Sequence, residues 1–390
     1  MQDSIWFQTL PSSQRRILEQ SDALPRTAGV AIVGAGLIGI STAYYLVEAG
    51  VKDICVVDQG TALGEASGAN AGGLWFAQQS VELGPVSPLA AASSRLYDEL
   101  SCCFDFDCER PGLIELLEAE EDPRTQARID ATRSAGFEVE KLSGRSARSL
   151  EPGLGVTPPA ALFYPNEGCL HPVKLGATLV AHLRSRGVRV CLGAAVRRLR
   201  PSLDTSSGLV TAETVVIATG AWTPQVTRSL GWAPPIKPLR GTLLALEPMS
   251  KTLHHTLVSS KYYYWQLASG HVAGGGSVDD LGFERGVATP TVAAIRDEMA
   301  QLMPATAHRP LACSWSGFRP FSEDLLPVIG PVPHQKKVFV AAGHFKKGVM
   351  LAPVTGKIMA DLVTSGRSEL PIEPLSPSRF GAKDIGSQAS

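Results

Sequence analysis

The first strongly apolar stretch of this chain lies at residues 29–57. Residues 30–33 form an apolar, β-branched run, an uncharged stretch of helical character continues to residue 47, and residues 54–57 form a second apolar run. This order predicts a strand, a helix and a second strand, which together make the repeating unit of a parallel sheet. By hydropathy alone the uncharged stretch would also fit a membrane span, but the glycines within it argue against one continuous helix.

The rest of the chain alternates between helical and extended patterns. A short helix is predicted at residues 12–20, within a polar N-terminal extension, and residues 272–276 are interpreted as a glycine-rich hairpin rather than a phosphate loop. The chain becomes rich in Pro and Ser from residue 371, and its last ten residues are expected to be disordered. Further helices are predicted at 89–100, 172–186 and 296–303, and strands at 112–117, 188–190, 194–196, 213–217, 242–246 and 262–266.

The composition is that of an ordinary globular chain. Hydrophobic residues make up 44% and charged residues 19%, and the net charge is −1. This balance gives no electrostatic footprint for nucleic acids or acidic membranes. Arg15 and Arg16 are followed by acidic residues rather than by an apolar stretch, which disfavours a secretory signal. The cytoplasm is therefore the expected location.

The cysteines and histidines give no sign of a metal centre. The seven cysteines are odd in number and contain no Cys-x-x-Cys pair, so neither a zinc ribbon nor an iron–sulfur cluster is predicted. Reduced, mostly buried thiols are expected. The eight histidines include no pair at positions i and i+4, so no metal site is predicted.

Three glycines in a fixed spacing follow the first apolar run. Gly34, Gly36 and Gly39 form Gly-x-Gly-x-x-Gly, and Asp58 ends the second apolar run. The first glycine allows a sharp turn, the second lets backbone amides approach a pyrophosphate, and the third lets the helix pack on the strand. Asp58 can accept hydrogen bonds from ribose hydroxyls, so a dinucleotide site is predicted, and NAD and FAD both fit it. The neighbouring candidate residues are Ala35, Leu37, Ile38 and Gln59.

Three further motifs accompany this fingerprint. Residues 67–74 are a run of small residues, residues 215–222 form a buried strand and turn, and a C-terminal motif spans residues 315–353 with interruptions. Together the four motifs resemble the FAD-dependent amino-acid oxidoreductases of the D-amino-acid oxidase superfamily, and most of all its glycine-oxidase branch. Opine-oxidase and hydroxyproline-dehydrogenase subunits are similar too. The resemblance covers about residues 30–380.

This resemblance implies a flavin site made from all four motifs. A helix is expected to begin at Gly348 and to run to about residue 363, so that its positive N-terminal end stabilises the negative charge of reduced flavin. Cys313 does not match the cysteinyl-flavin pattern of monomeric sarcosine oxidases, so noncovalent FAD is expected. The implied cofactor-binding residues are Ser67, Gly68, Asn70, Ala71, Gly72, Gly73, Leu74, Val196, Gly220, Gly317, Gly343, His344, Phe345, Lys346, Lys347, Gly348, Val349 and Met350.

The same resemblance implies an α/β fold with two interleaved domains. We expect a discontinuous Rossmann-type FAD-binding domain and a smaller substrate domain built on an antiparallel sheet. The former is assigned residues 29–85, 152–238 and 311–370, and the latter residues 86–151 and 239–310. Residues 1–28 are taken as an N-terminal extension and residues 371–390 as a C-terminal tail.

Three residues are candidates for the catalytic site. By resemblance, Arg319 clamps the carboxylate of the substrate, for which a guanidinium is well suited. Relatives place an aromatic residue over the substrate, and Tyr264 is the candidate chosen, although a strand lets only Tyr262 and Tyr264, or Tyr263 and Trp265, face one side. Lys346 stands where relatives commonly have Arg, which replaces a planar fork by a point charge. We do not assign a general base to His344.

The implied activity is oxidation of an amine alpha to a carboxylate, by hydride transfer to flavin N5, giving an imine. Glycine, N-substituted glycines, D-amino acids, D-hydroxyproline and opines all remain open as substrates. One alternative is a dehydrogenase subunit that passes electrons to a partner protein instead of oxygen, docked through the N-terminal extension. A non-catalytic FAD-binding module and a nicotinamide dehydrogenase are the others, and both homo- and hetero-oligomers are open.

Overall fold

The computed structural model describes residues 3–200 and 202–381, and within them the strands form two large sheets and one small one. The predicted disorder of the last ten residues lies outside the described residues except at Gly381. The strands are β1 (Thr27–Val33), β2 (Ile54–Val57), β3 (Gly73–Leu74), β4 (Leu113–Leu117), β5 (Glu140–Ser143), β6 (Ala160–Tyr164), β7 (Gly168–Cys169), β8 (Arg189–Cys191), β9 (Val196–Leu199), β10 (Ser202–Thr205), β11 (Gly208–Ile217), β12 (Ile236–Leu246), β13 (Thr256–Val258), β14 (Tyr263–Gln266), β15 (Val272–Gly275), β16 (Leu311–Ser322), β17 (Val328–Pro331) and β18 (Val338–Ala342).

The helices of the described residues vary from one turn to nearly five. They are α1 (Ile5–Gln8), α2 (Ser12–Glu19), α3 (Leu37–Glu48), α4 (Ser80–Leu83), α5 (Ser87–Cys103), α6 (Pro123–Ser134), α7 (Gly144–Leu150), α8 (Pro172–Ser185), α9 (Thr223–Thr227), α10 (Thr289–Leu302) and α11 (Ala352–Ser365).

The first sheet is mainly parallel, with the strand order β17–β18–β11–β1–β2–β8. β1 lies between β2 and β11 in parallel register, so that Val33 is beside both Val57 and Ile217. These strands are buried on both faces, which explains why their sequences read as continuous apolar runs. Helix α3 follows β1 directly, as predicted, and packs against α11 and α8.

The second sheet is antiparallel except for the parallel pair β4–β13, and its order is β16–β12–β15–β14–β13–β4–β6–β5. β14 and β15 pair as the hairpin expected from the glycines at residues 272–276. The longest pairing joins β12 to β16, with Gly241 beside Gly317. Two strands from the segments assigned to the nucleotide domain, β6 and β16, pair in this sheet, and the domain boundaries themselves stay a prediction.

The two terminal segments are more closely integrated than the sequence suggested. Ile5, Trp6 and Phe7 are buried in the largest hydrophobic core, although residues 1–28 were expected to form a polar extension outside the nucleotide fold. At the other end Leu375 is fully buried, and Arg379 binds the carboxylate of Asp324. Both segments contain few apolar residues. Those few are enough to bury the segments because they pack against surfaces formed by distant parts of the chain.

Several element boundaries differ from the predictions. The last helix begins at Ala352 rather than at Gly348, and Pro353, which has no backbone N–H to donate, lies in its first turn. Helices α6 and α7 were not predicted, and β12 begins six residues before the predicted strand. Among the described residues no helix has the length and apolar character that a bilayer crossing needs. Only Cys55 and Cys191 are fully buried, so the expectation of mostly buried thiols was wrong.

Candidate active site

A cavity of about 350 Å³ lies at the carboxyl ends of the parallel strands β1, β2, β11 and β18. Such an edge is where open parallel sheets bind their ligands. Strands β12, β14 and β16 of the second sheet close the opposite side, with Gly241, Tyr263 and Gly317 facing the cavity. The cavity therefore has a nucleotide end, built on the first sheet, and a second end built on the second sheet.

The fingerprint glycines are required by close backbone contacts at the nucleotide end. Gly34 has a φ of +112°, and a side chain there would collide with the carbonyl of Ala218. A side chain at Gly39 would collide with the carbonyl of Gly34, which confirms that this glycine lets the helix approach the strand. Gly36 is the N-cap of α3, so the first-turn amides of the helix have no acceptor within it, and Leu37 and Ile38 of this turn line the cavity.

Asp58 occupies the predicted position at the end of β2. Its Oδ2 accepts a hydrogen bond from the backbone N–H of Ala35 at 2.7 Å, and its Oδ1 accepts one from Gly60 at 2.8 Å. Burial raises the pKa of this carboxyl, and the two amides partly offset that effect. Asp58 also lines the cavity, so its remaining lone pairs are available to a ligand.

The small-residue run after β2 forms a loop braced by its own side chains. Ser67 Oγ accepts a hydrogen bond from the backbone N–H of Leu37 at 2.9 Å, which ties the loop to the start of α3. The amide of Asn70 donates to the carbonyl of Ser67 and accepts from the N–H of Gly72. Ser67, Asn70, Ala71 and Gly73 line the cavity, as the flavin role predicted for this run requires.

Arg319 lies at the second end of the cavity without an acidic partner. Its guanidinium donates to the carbonyl of Ser277 at 2.6 Å and to the hydroxyl of Tyr263 at 3.5 Å, and no described carboxylate forms an ion pair with it. The guanidinium crosses the backbone of Gly241, where any side chain would collide with it. The missing side chain of Gly241, on the neighbouring strand, therefore leaves the space that the guanidinium of Arg319 occupies.

The aromatic residue chosen from the sequence was the wrong one. Tyr264 is fully buried in the core of the second sheet, where its hydroxyl donates to Glu298 at 3.1 Å, and burial raises its pKa well above the usual range. Successive residues of a strand face opposite sides, so the cavity side of β14 carries Tyr263. The ring of Tyr263 packs edge-on against Trp75, with centroids 4.8 Å apart.

The C-terminal loop contributes one histidine and one lysine to the cavity. His344 is buried and its Nε2 lies 3.0 Å from Thr355 Oγ1, and burial lowers its pKa to about 3, so it stays neutral. Partial loss of hydration and the nearby positive charge of Arg319 lower the pKa of Lys346, which lines the edge of the cavity and remains exposed to solvent on one side. Lys347 is instead buried behind the wall, with its ammonium 3.5 Å from Glu82.

The sequence did not point to Glu167, which holds one wall of the cavity in place. Its Oε1 accepts a hydrogen bond from the backbone N–H of Ala77 at 2.9 Å, next to the cavity-lining Gln78. Its Oε2 has no hydrogen-bond partner, and burial raises its pKa to about 8. A buried carboxyl group that binds the backbone of a distant segment leaves no motif in the sequence, so only the fold could reveal this residue.

Most candidate residues are brought together around this cavity. Trp75, Trp222 and Tyr262 also line it, and each lies within or directly after a stretch singled out in the sequence, namely 67–74, 215–222 and 262–266. The candidates that do not line the cavity are Ala35, Gly39, Gly68, Gly72, Leu74, Tyr264, Gly343 and Lys347.

The chemistry of the lining fits a flavin dinucleotide. The start of α3 offers free amides and the positive end of a helix dipole to a pyrophosphate, and Asp58 offers acceptor atoms to a ribose. Gly73, Gly220 and Gly317 present backbone rather than side chains to the cavity, and a side chain at Gly317 would collide with Ala69. A plain nicotinamide site would not need the wall formed by the second sheet.

Comparisons with known proteins agree with this reading. The family model described as "FAD dependent oxidoreductase" (DAO) matches residues 29–362. The glycine oxidase of Geobacillus kaustophilus is 30% identical over 91% of this chain and 97% of its own length. The hydrogen cyanide synthase subunit HcnC of Pseudomonas aeruginosa is 28% identical, with 91% of this chain and 97% of that protein covered. The crystal structure of the Geobacillus kaustophilus glycine oxidase superposes with a TM-score of 0.86, covering 91% of this chain and 99% of that chain.

Proposed function

This chain belongs to the family of FAD dependent oxidoreductases, and on that premise we propose that it oxidises an amine whose nitrogen-bearing carbon also carries a carboxylate. The observation that carries the proposal is the unpaired guanidinium of Arg319 in the cavity wall. A buried or half-buried cation without an acidic partner is costly, and an anionic substrate removes that cost.

FAD, when bound, supplies the two-electron acceptor that takes a hydride from the substrate carbon. The chain itself positions the substrate: Arg319 pairs with the carboxylate, and Tyr263 and Trp75 form the aromatic wall beside it. Burial lowers the pKa of His344 to about 3, which makes it a weak base, and its Nε2 is engaged by Thr355, so it is not assigned to proton removal. The amine is therefore proposed to react in its neutral form.

We propose that FAD is held noncovalently. No cysteine of the described residues lines the cavity, and Cys313 lies instead beside Gln8, with its pKa raised to about 11 by burial. A partly buried, protonated thiol away from the cavity is not a nucleophile. Acid precipitation should release all yellow colour into the supernatant, whereas colour that stays with the pellet would contradict this assignment.

Anaerobic reduction of the purified holoenzyme tests the activity. Glycine, N-substituted glycines, D-amino acids, D-hydroxyproline and N-carboxyalkyl amino acids are each mixed with the protein, and loss of the oxidised-flavin absorbance is followed. Each substrate is paired with its carboxamide. Reduction by at least one acid, and much slower reduction by its amide, is expected; no reduction by any member of the panel would contradict the proposal.

A second candidate is that the chain passes its electrons to a protein rather than to oxygen. It is favoured by the relative whose name makes it a subunit of hydrogen cyanide synthase. The N-terminal extension no longer supports it, since residues 5–7 are buried against the chain's own core. Stoichiometric peroxide during turnover in air would identify an oxidase, and reduction of an artificial acceptor without peroxide would identify a dehydrogenase. A cytoplasmic location belongs to the proposal in either case.

A further inference from the structure

Two residues near the N-terminus, Ser4 and Trp6, donate hydrogen bonds to the loop that carries the cofactor-facing small residues. We call residues 4–7 the N-terminal anchor and residues 67–73 the cofactor loop. Ser4 Oγ donates a hydrogen bond to the carbonyl of Gly68 at 2.7 Å, and Trp6 Nε1 donates one to the carbonyl of Asn70 at 2.6 Å. Ser4 is fully buried and Trp6 nearly so, and therefore the anchor replaces water as the donor to these carbonyls.

The two glycines of this loop that do not line the cavity face the anchor. A side chain at Gly68 would collide with the carbonyl of Leu63 and with the ring of Phe7. One at Gly72, whose φ is +71°, would collide with the carbonyl of Leu170 and come within 3.2 Å of the indole of Trp6. The sequence assigned both glycines to the flavin, whereas in the structure they pack against the anchor and against the backbone of Leu63 and Leu170. The indole is also stacked on Trp265, with centroids 6.2 Å apart, which fixes its position.

The opposite side of the cofactor loop faces the cavity. Ser67, Asn70, Ala71 and Gly73 line it, and Ser67 is bonded to the first residue of α3. The loop is thus a thin layer between the anchor and the cofactor site. The anchor lies outside the family model, which begins at residue 29.

We propose that the N-terminal anchor is a positioning element of the FAD site, holding the cofactor loop in the shape that binds FAD. A loop made of Gly, Ala, Ser and Asn has many conformations of similar energy, and ordering it only when the cofactor binds lowers the affinity. By ordering the loop beforehand, the anchor removes that cost from the binding step. The inference concerns cofactor affinity and does not depend on which amine the enzyme oxidises.

The test compares two tryptophans of equal burial. Trp6→Ala and Trp232→Ala each remove an indole that is 3% exposed, but Trp232 packs in a different core and does not line the cavity. For each variant the apoprotein is titrated with FAD, and the thermal midpoint of the apoprotein is measured. We expect Trp6→Ala to weaken FAD binding by about tenfold or more and Trp232→Ala by no more than about twofold at a similar loss of thermal midpoint. Equal weakening by both variants would overturn the proposal.

Conservative variants keep the test decisive if Trp6→Ala does not fold. Trp6→Phe keeps a ring but removes the donor to Asn70, and Ser4→Ala removes the donor to Gly68, while Trp232→Phe serves as control because its indole N–H has no partner. Each lost bond should weaken FAD binding by about threefold to tenfold. Hydrogen exchange of the apoprotein should show faster exchange at residues 67–73 in both anchor variants and unchanged exchange in the control. Unchanged affinity and exchange in the anchor variants would overturn the proposal.

Discussion

The two ends of the cavity differ in where their polar groups find partners. At the nucleotide end Asp58 accepts hydrogen bonds from two backbone N–H groups, and the side chains of Ser67 and Asn70 form hydrogen bonds to the backbone. At the other end Arg319 bonds only to a carbonyl and a hydroxyl, and Lys346 forms no ion pair with any described residue. The polar groups of the nucleotide end are thus hydrogen-bonded within the protein, whereas the other end carries positive charges that no described carboxylate neutralises.

From this difference we expect the nucleotide end to set affinity for the cofactor and the other end to set the choice of substrate. Groups already bonded inside the protein are held in a fixed geometry, which suits a cofactor that stays bound through many turnovers. Charges left without partners gain most from an anionic ligand, which suits a substrate that must arrive and leave. Changes at the two ends should therefore separate into effects on FAD affinity and effects on substrate binding.

The largest effect is expected at Arg319. Arg319→Ala should weaken apparent binding of the acid substrate by about thirtyfold or more, because truncating one partner of a desolvated charge pair costs roughly 2–5 kcal/mol. Arg319→Lys should be less impaired, since it keeps the charge but loses the fork. Both should retain FAD. Steady-state KM for the acid and for its carboxamide gives the measurement, and a variant that discriminates acid from amide as well as wild type does would mean that Arg319 is structural.

Substitution of Glu167 tests whether the stability of the cavity wall at Ala77 depends on a buried, neutral carboxyl group. The pKa of about 8 in the folded protein lies above the usual value near 4.5, so this group's contribution to stability is present below about pH 4.5 and is lost as the pH rises through 8. Wild type should lose roughly 3–5 kcal/mol from this group between those limits. Glu167→Gln, which keeps an acceptor for Ala77, should be free of that loss.

Urea unfolding at pH 5, 7 and 8.5 measures this effect, with Glu120→Gln, an exposed glutamate, as control. The Glu167→Gln variant should gain stability relative to wild type at the highest pH and little at the lowest. Parallel pH profiles for the variant and wild type would show that Glu167 is ionised in the folded protein.

Asp58→Ala should act at the nucleotide end alone. Loss of a hydrogen bond between a carboxylate and a ribose hydroxyl costs roughly 1.5–3 kcal/mol, which is about tenfold to a hundredfold in FAD affinity. The N–H groups of Ala35 and Gly60 also lose their acceptor, so the apoprotein should be less stable too. FAD titration of the apoprotein separates the two effects, and an unchanged affinity would exclude Asp58 from the ribose site.

The smallest effect is expected at Lys346. Its side chain is exposed at the edge of the cavity, and exposed ion pairs contribute about 0.2–1 kcal/mol, so Lys346→Met should raise KM for the acid by about fivefold at most. The same substitution should leave KM for the carboxamide unchanged. An effect as large as that of Arg319→Ala would mean that the two cations share the carboxylate.

The nucleotide end could be predicted from the sequence because its geometry is local. Gly34, Gly36 and Gly39 lie within one turn and one helix start, and Asp58 follows the next strand of the same sheet. The structural role of each glycine then follows from steric rules that hold in any protein. The family resemblance extended this to the C-terminal motif, although the start of α11 was placed at Gly348 when Pro353 marked the first turn.

The remaining errors concern contacts between distant parts of the chain. Tyr263 and Tyr264 are adjacent aromatic residues on β14, and nothing in a run of aromatic residues shows which face is turned to the cavity. The burial of Trp6 depends on a loop more than sixty residues away, as the hydrogen bond to Asn70 shows. Local pattern cannot report a partner that lies in another segment of the sequence.

The order of strands in the first sheet also has a consequence for biosynthesis. β1 and β2 emerge early from the ribosome, but β11, which completes the pairing of β1, starts at Gly208, and β18, which covers the edge of β11, starts at Val338. Until then the nascent polypeptide presents a parallel strand with unpaired backbone groups, which is a template for aggregation. Translation that stops before residue 338 would therefore leave an open-edged intermediate, and chaperone capture during synthesis should be strongest over that interval.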